Sequence, residues 1–234
     1  MGTLTFDQHA QEYDSWFLKN RTVLQSELLL LKRALGLPGQ TLSVGCGSGL
    51  FEHFLRTEHG VDIRFGVEPA EGMAQIAEKR GMTVKRASAE SLPYPDAGFD
   101  TVLMNGIPSY VPDLEAAFRE GFRVLKTGGH IVVLDVPAES SYGLLYRLAG
   151  IIGTWTDPHL KRVAPAHPYP VEFAAAANWR TTEEKATMLR ATGFEDPQFL
   201  QTLTRHPKFT NDAVEEPSEG YDRGDYVSIR CRKP

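Results

Sequence analysis

Only two of the 234 residues are cysteines, Cys46 and Cys231. That number excludes a disulfide-stapled secreted scaffold, and without a CxxC or paired-histidine spacing it offers no metal site. Clustered positive charge is also missing. The formal net charge is −5 and no Lys/Arg block occurs, so nucleic-acid phosphates would find no concentrated basic face. The longest apolar stretch, Gly143 to Trp155, contains Arg147 and is too short for the ~20 residues that span a bilayer. The start, Met1 to Asp7, lacks the basic segment and apolar run of a signal peptide. Phe6 stands where a myristoylation site wants Ser or Thr. These shortages point to a soluble, cytoplasmic protein, monomer or homodimer, with neither nucleic acid nor a membrane as a stable partner.

What is present is ordinary globular material, 41% hydrophobic and 24% charged, long enough for one large domain with a continuous core. Short β-type runs fall at Thr41–Val44, Ile63–Val67, Thr83–Lys85, Thr101–Met104 and His130–Leu134. Helix-length segments separate them at Gly49–Glu58, Ala70–Arg80 and Leu114–Leu125. Such alternation requires crossover connections and hence a mostly parallel sheet with helices on both faces. Two helices are predicted before the first strand, at Ala10–Leu18 and Thr22–Leu35, the second stopped by Gly36-Leu37-Pro38-Gly39. After Leu134 the alternation lapses from Asp135 to Arg180. That stretch holds an amphipathic helix with Leu144, Leu145, Leu148, Ile151, Ile152 and Trp155 on one face, for which packing on the parent domain is the default. A Pro/His-rich segment around His167 follows. Thr181-Thr182-Glu183-Glu184 reads as a capped helix start, running through Ala191 to Gly193. Runs at Gln198–Leu203 and Tyr226–Cys231 would close the sheet antiparallel, joined by a polar loop around Asn211–Asp222. The expected fold is α/β: a Rossmann-like, doubly wound, mostly parallel seven-stranded sheet with an antiparallel C-terminal strand and a helical cap after strand 5. The domain divides into N-terminal helices (1–39), a core (40–135), a cap (136–180) and the last helix and strands (181–234).

The chemistry concentrates where the first strand meets its helix, at Val44-Gly45-Cys46-Gly47-Ser48-Gly49. Glycines let the backbone turn tightly and approach a ligand closely. A dinucleotide loop, G-x-G-x-x-G, fits Gly45 and Gly47 but requires glycine where Leu50 stands. The spacing is G-x-G-x-G instead. Glu68 closes the second strand nineteen residues after Gly49, where a carboxylate can accept hydrogen bonds from both vicinal hydroxyls of a ribose.

Together with Tyr13-Asp14-Ser15-Trp16-Phe17, Gly66-Val67-Glu68-Pro69, Ala89-Glu90-Ser91-Leu92-Pro93-Tyr94, Phe99-Asp100-Thr101-Val102 and Arg123-Val124-Leu125-Lys126-Thr127-Gly128-Gly129, this loop resembles the class I S-adenosylmethionine-dependent methyltransferases, type 11 (ubiquinone/menaquinone-biosynthesis-like). Phe6-Asp7 is the first part of that resemblance, which covers about residues 6–135. It implies S-adenosylmethionine as cofactor and S-adenosylhomocysteine as product. Gly45, Cys46, Gly47 and Gly49 would line the methionine portion and Glu68, followed by Pro69, the ribose. Ala89 and Glu90 would flank the adenine. Asn105 and Gly106 would face the sulfonium, and Tyr13 would close over the cofactor. Ser88 stands where relatives commonly have Asp.

A sulfonium methyl is already activated, so alignment can carry much of the catalysis. Oxygen and nitrogen acceptors add a need for a base. Tyr13, His159 and His167 are the catalytic candidates, with Asn105, Tyr110, Asp135 and Tyr169 near the same sheet edge. Tyr142, Tyr146, Trp155 and Tyr169 would suit an aromatic or lipophilic small-molecule acceptor. The alternative from another class is a non-catalytic binder of the same adenosyl ligands.

Overall fold

The computed structural model describes the backbone of residues 10–234 and the side chains from Glu12 onward; the Phe6-Asp7 part of the resemblance lies outside the described residues. Helices α1 (Ala10–Lys19) and α2 (Arg21–Leu35) come first. In α2 the buried positions Leu24, Leu28, Leu31 and Leu35 recur every three to four residues, the spacing that gathers side chains on one helix face. The chain leaves α2 at Gly36, with φ 61° and its N–H on the Lys32 carbonyl.

The alternating part follows as β1 (Thr41–Val44), α3 (Leu50–His59), β2 (Phe65–Val67), α4 (Glu71–Lys79), β3 (Thr83–Lys85), β4 (Phe99–Asn105), α5 (Leu114–Val124) and β5 (Leu125–Asp135). The last strands are β6 (Glu195–Thr202), β7 (Ser218–Glu219) and β8 (Tyr226–Arg232). Spatial order is β3-β2-β1-β4-β5-β8-β6-β7. Neighbours from β3 through β5 are parallel, and β8 runs antiparallel to both β5 and β6. Because successive strand residues face opposite sides, Leu103, Val132 and Leu134 enter one core with α2, while Val102, Met104, Ile131 and Val133 enter the other with Phe118 of α5. The sheet has eight strands rather than the expected seven. The addition is β7, two residues of the polar loop that pair Leu200 with Glu219 and Gln201 with Ser218. Two residues are too few to leave a readable alternation.

After β5 come α6 (Ser141–Ile152), α7 (Leu160–Val163), α8 (Val171–Ala176) and α9 (Thr182–Thr192). The expected seating of α6 is reversed for most of its face. Leu144, Leu148, Ile151 and Ile152 point outward, whereas Tyr142, Tyr146 and Ala149 are buried. Of the same expected face Leu145 is half-buried and Trp155, just past the helix, packs on the core. Two glycines explain the inversion. A Cβ at Gly143 would lie 2.0 Å from the Pro137 carbonyl oxygen and one at Gly150 3.1 Å from Ala175 of α8, so only this face permits so close an approach. Helix α9 starts with the expected capping box, Thr181 with Glu184, and ends at Gly193. Among the described residues no helix is long and apolar enough to cross a membrane.

Where the cap returns to the sheet, Lys185 of α9 donates to Asp135 at the end of β5 over 3.1 Å, with side chains 3% and 6% exposed. Ser109 Oγ and the Val136 N–H complete the acceptor sites of Asp135. Removing one partner of such a pair strands a buried charge. Lys185→Met is therefore expected to cost about 3–5 kcal/mol in urea unfolding, and the double variant Asp135→Asn/Lys185→Met to recover part of it.

Candidate functional site

In an open parallel sheet the strand order reverses where the chain stops adding strands on one side and begins on the other, and ligands sit at that crevice. Here the reversal lies between β1 and β4. The loop leaving β1 is pulled toward β2, since the Gly45 and Cys46 N–H groups both donate to the Val67 carbonyl at 2.7 and 3.1 Å. Glu68, just past β2 and 7% exposed, accepts from the Gly47 N–H and the Ala70 N–H, each at 2.9 Å. One carboxylate thus fixes the glycine loop and the start of α4. A second clasp comes from α1. Ser48 Oγ donates to Asp14 over 2.5 Å, and Arg80 donates to the other oxygen of Asp14 at 2.6 Å and to the Ser48 carbonyl at 2.7 Å. Asp14 thereby holds α1, and with it Tyr13, against the loop.

These elements enclose a cavity of about 530 Å³, within the usual range for small-molecule sites. Of the residues expected from the sequence, Gly45, Cys46 and Gly47 line it from the loop, and Glu68 and Pro69 from the end of β2. Ala89 and Glu90 line it together with Ser88; Asn105 and Gly106 do so from the end of β4, and Tyr13 from α1. Gly49 does not. Its positive φ of 68° turns the chain into α3, and its missing Cβ makes room for Ala77 and Met82, 3.1 and 2.8 Å from where it would stand. A Cβ on Gly47 would meet nothing within 4 Å, so that backbone faces open cavity. Burial pushes the Cys46 thiol well above its ordinary value, which leaves it a neutral wall group.

The two catalytic histidine candidates are also displaced. His159 and His167 are both exposed, and neither lines the cavity. At His167 the backbone is what matters: its carbonyl accepts from Trp16 Nε1 at 2.9 Å, which pins the Pro/His-rich segment to α1 and leaves the imidazole outside.

A second cavity, of about 70 Å³, lies beyond the first and shares Tyr13, Gly106 and Tyr110 with it. Its walls are aromatic. Tyr146 stacks on Tyr169 with ring centroids 5.5 Å apart, Trp16 meets Tyr169 edge-on at 5.1 Å, and Tyr142 packs on Tyr146 at 4.9 Å. Tyr226 OH donates to Asn105 Oδ1 at 3.0 Å, fixing the carboxamide at the junction. Three carboxyl groups also reach this cavity, Glu27, Asp135 and Asp225. Burial pushes Glu27 up from 4.5 to about 8. It raises Asp225 to about 6, against the opposing pull of the Tyr142 N–H. Glu27, Asp225, Trp179 and Tyr226 were missed by sequence reasoning. For Glu27 a signal existed, a lone acid on the leucine-rich face of α2.

The methyltransferase domain family matches residues 42–133, from β1 to near the end of β5. Over 228 residues the chain is 31% identical to the uncharacterized protein MJ1123 of Methanocaldococcus jannaschii, spanning 97% of this chain and 98% of that one. Its structure is similar to that of a SAM-dependent methyltransferase of Thermotoga maritima, described as a possible histamine N-methyltransferase. That match has a TM-score of 0.83 at 35% identity and covers 98% of this chain and 99% of the other. Demethylmenaquinone methyltransferase of Thermus thermophilus is 33% identical over 159 residues, 61% of this chain and 70% of the relative. Of longer mycobacterial relatives, themselves uncharacterized, the chain spans 50% of the length. The chain belongs to the class I, type 11 S-adenosylmethionine-dependent methyltransferases.

The residues present fit that cofactor. The open face of Gly47 is a cradle that a side chain would fill, and the carboxylate beside it suits vicinal hydroxyls.

Glu27 makes a pH prediction. A carboxyl held protonated in the fold but ionised in the unfolded chain contributes stability that is complete below pH 4.5 and lost as pH rises to about 8. Asp225 titrates alike in wild type and in Glu27→Gln, so it cancels between them. The unfolding free energy of ligand-free Glu27→Gln, measured in urea, should match wild type near the acid end of this window and gain on it until about pH 8, by at most about 1.4 kcal/mol per pH unit. A margin that does not change with pH would contradict the burial of an ionisable Glu27.

Proposed function

We propose that the chain is an active enzyme that methylates a small-molecule acceptor held in the smaller cavity, with residues 136–180 as the acceptor cap of a single domain. The observation that carries this reading is the junction, where Tyr13, Gly106 and Tyr110 belong to both cavities. In it Gly45, Cys46 and Gly47 hold the methionine end of the cofactor and Glu68 the ribose. Ala89 and Glu90 hold the base, and Asn105 and Gly106 lie on the sulfonium side.

When bound, S-adenosylmethionine supplies an electrophilic methyl group on a positively charged sulfur. The chain's share is placement. Holding the acceptor in line with that methyl converts an encounter into a near-unimolecular step, worth up to about 7–11 kcal/mol where alignment is good. Tyr226 keeps the Asn105 carboxamide from rotating, and the aromatic wall keeps water from competing as a nucleophile. The phenols of Tyr13, Tyr146, Tyr169 and Tyr226 are all pushed upward by burial, so they act as neutral hydroxyls.

Two measurements test this reading. Wild type should gain about 2.7 kcal/mol of stability from S-adenosylhomocysteine at a hundred times its dissociation constant. Gly47→Val should gain none because its side chain occupies the ligand's space, and Glu68→Ala should gain less. The second is transfer of a labelled methyl group across a panel of quinols, phenols, amines and thiols; histamine, named for the Thermotoga relative, belongs in it. Binding of the cofactor without transfer to any acceptor would make the chain a binder of adenosyl ligands instead.

A further inference from the structure

The smaller cavity has a charge pattern that its aromatic walls do not explain. Three carboxyl groups line it, and among the described residues no Arg, Lys or His does. Asp135 is committed to Lys185, Ser109 and the Val136 N–H. Asp225 is committed to the Tyr142 N–H at 2.8 Å. Glu27 differs. It is 6% exposed, and among the described residues no hydrogen bond or ion pair reaches its carboxylate. A buried carboxyl without a partner costs free energy that a fold does not usually leave uncompensated.

Its surroundings indicate what would compensate. Glu27 lines the cavity together with Tyr13, Tyr142, Tyr146 and Tyr226, and of these Tyr13 also lines the larger cavity. Aromatic rings attract a cation through their quadrupole, more strongly once water is excluded. A carboxylate among rings, with no basic side chain beside it among the described residues, is complementary to an ammonium group. About 70 Å³ is room for several heavy atoms, at ~10–15 Å³ for each water-sized probe.

We propose that this cavity recognises an ammonium group, and that the methyl acceptor is a small basic amine whose nitrogen pairs with Glu27 among the aromatic rings. The assignment rests on the methyltransferase reading above and narrows its acceptor to one chemical class. Nitrogen must present a lone pair to be methylated. In the ligand-free fold Glu27 holds a proton. An entering ammonium releases that proton to water and pairs with the carboxylate. The ammonium proton then passes to Glu27, so that an N–H bond breaks, a carboxyl O–H bond forms and a neutral amine is left beside a neutral acid. The upward shift of the Glu27 carboxyl by burial makes it a competent acceptor for that proton.

The test is calorimetric binding to the full chain saturated with S-adenosylhomocysteine. The probes are propylamine, butylamine and 2-phenylethylamine, each against the alcohol of the same skeleton. Wild type should bind the amines about tenfold or more tightly than the alcohols. Glu27→Gln should lose that preference while binding S-adenosylhomocysteine as wild type does, which also reports that it is folded. Alcohols bound as tightly as amines, no amine bound at all, or a preference that survives in Glu27→Gln would each overturn the assignment. The wild-type comparison decides the matter even without the variant. Amine preference without methyl transfer to any amine would sink the enzymatic reading and leave the ammonium site standing. Transfer to phenols or thiols with no amine preference would do the reverse.

Discussion

The carboxylate of Glu68 holds two backbone segments that would otherwise be independent. By accepting from Gly47 and Ala70 it ties the turn after β1 to the first turn of α4, and both depend on β1 and β2 lying side by side. Glycine makes this turn possible and also makes it floppy, because its backbone loses the most entropy on ordering. A charged acceptor on the Gly47 N–H restricts that freedom within the protein itself. A ligand then meets a wall already shaped, and less of its binding energy goes to ordering the loop.

The acceptor side is assembled differently, by side chains from far apart in the chain. Trp16 reaches the His167 carbonyl across 151 residues and Asn105 meets Tyr226 across 121. Such contacts cannot form until α1, the cap and the last strand are all in place. Apart from the clasp of α1 through Asp14 and Tyr13, the cofactor side is a property of one contiguous alternating segment, whereas the aromatic cavity is a property of the whole chain.

That difference explains what could be read in the sequence. Strand positions, crossover helices and the parallel core leave local periodicities, and the G-x-G-x-G turn with Glu68 nineteen residues on is a short-range pattern. Gly49 was legible as a required glycine, though the requirement comes from Ala77 and Met82 rather than from a ligand. The orientation of α6 was not legible, because a helix with aliphatic side chains on one face and aromatics on the other has two apolar faces to bury. Backbone approach at Gly143 and Gly150 decides between them. His159 and His167 attracted notice by residue type, and residue type does not say which way a loop turns. Glu27 was passed over because a single acid among leucines looks like a solvated edge until the partner elements are known.

Helix α2 has a consequence for how the chain is made. It ends at Leu35, and part of its apolar face packs on β6 and β8, the last of which begins at Tyr226. A ribosome adding about 5–20 residues per second needs roughly ten to forty seconds to deliver that partner. Throughout that interval a leucine-rich helix is finished but only partly covered. An early-born element of the core is thus among the last to be closed, and a chaperone that shields it would act during synthesis rather than after it.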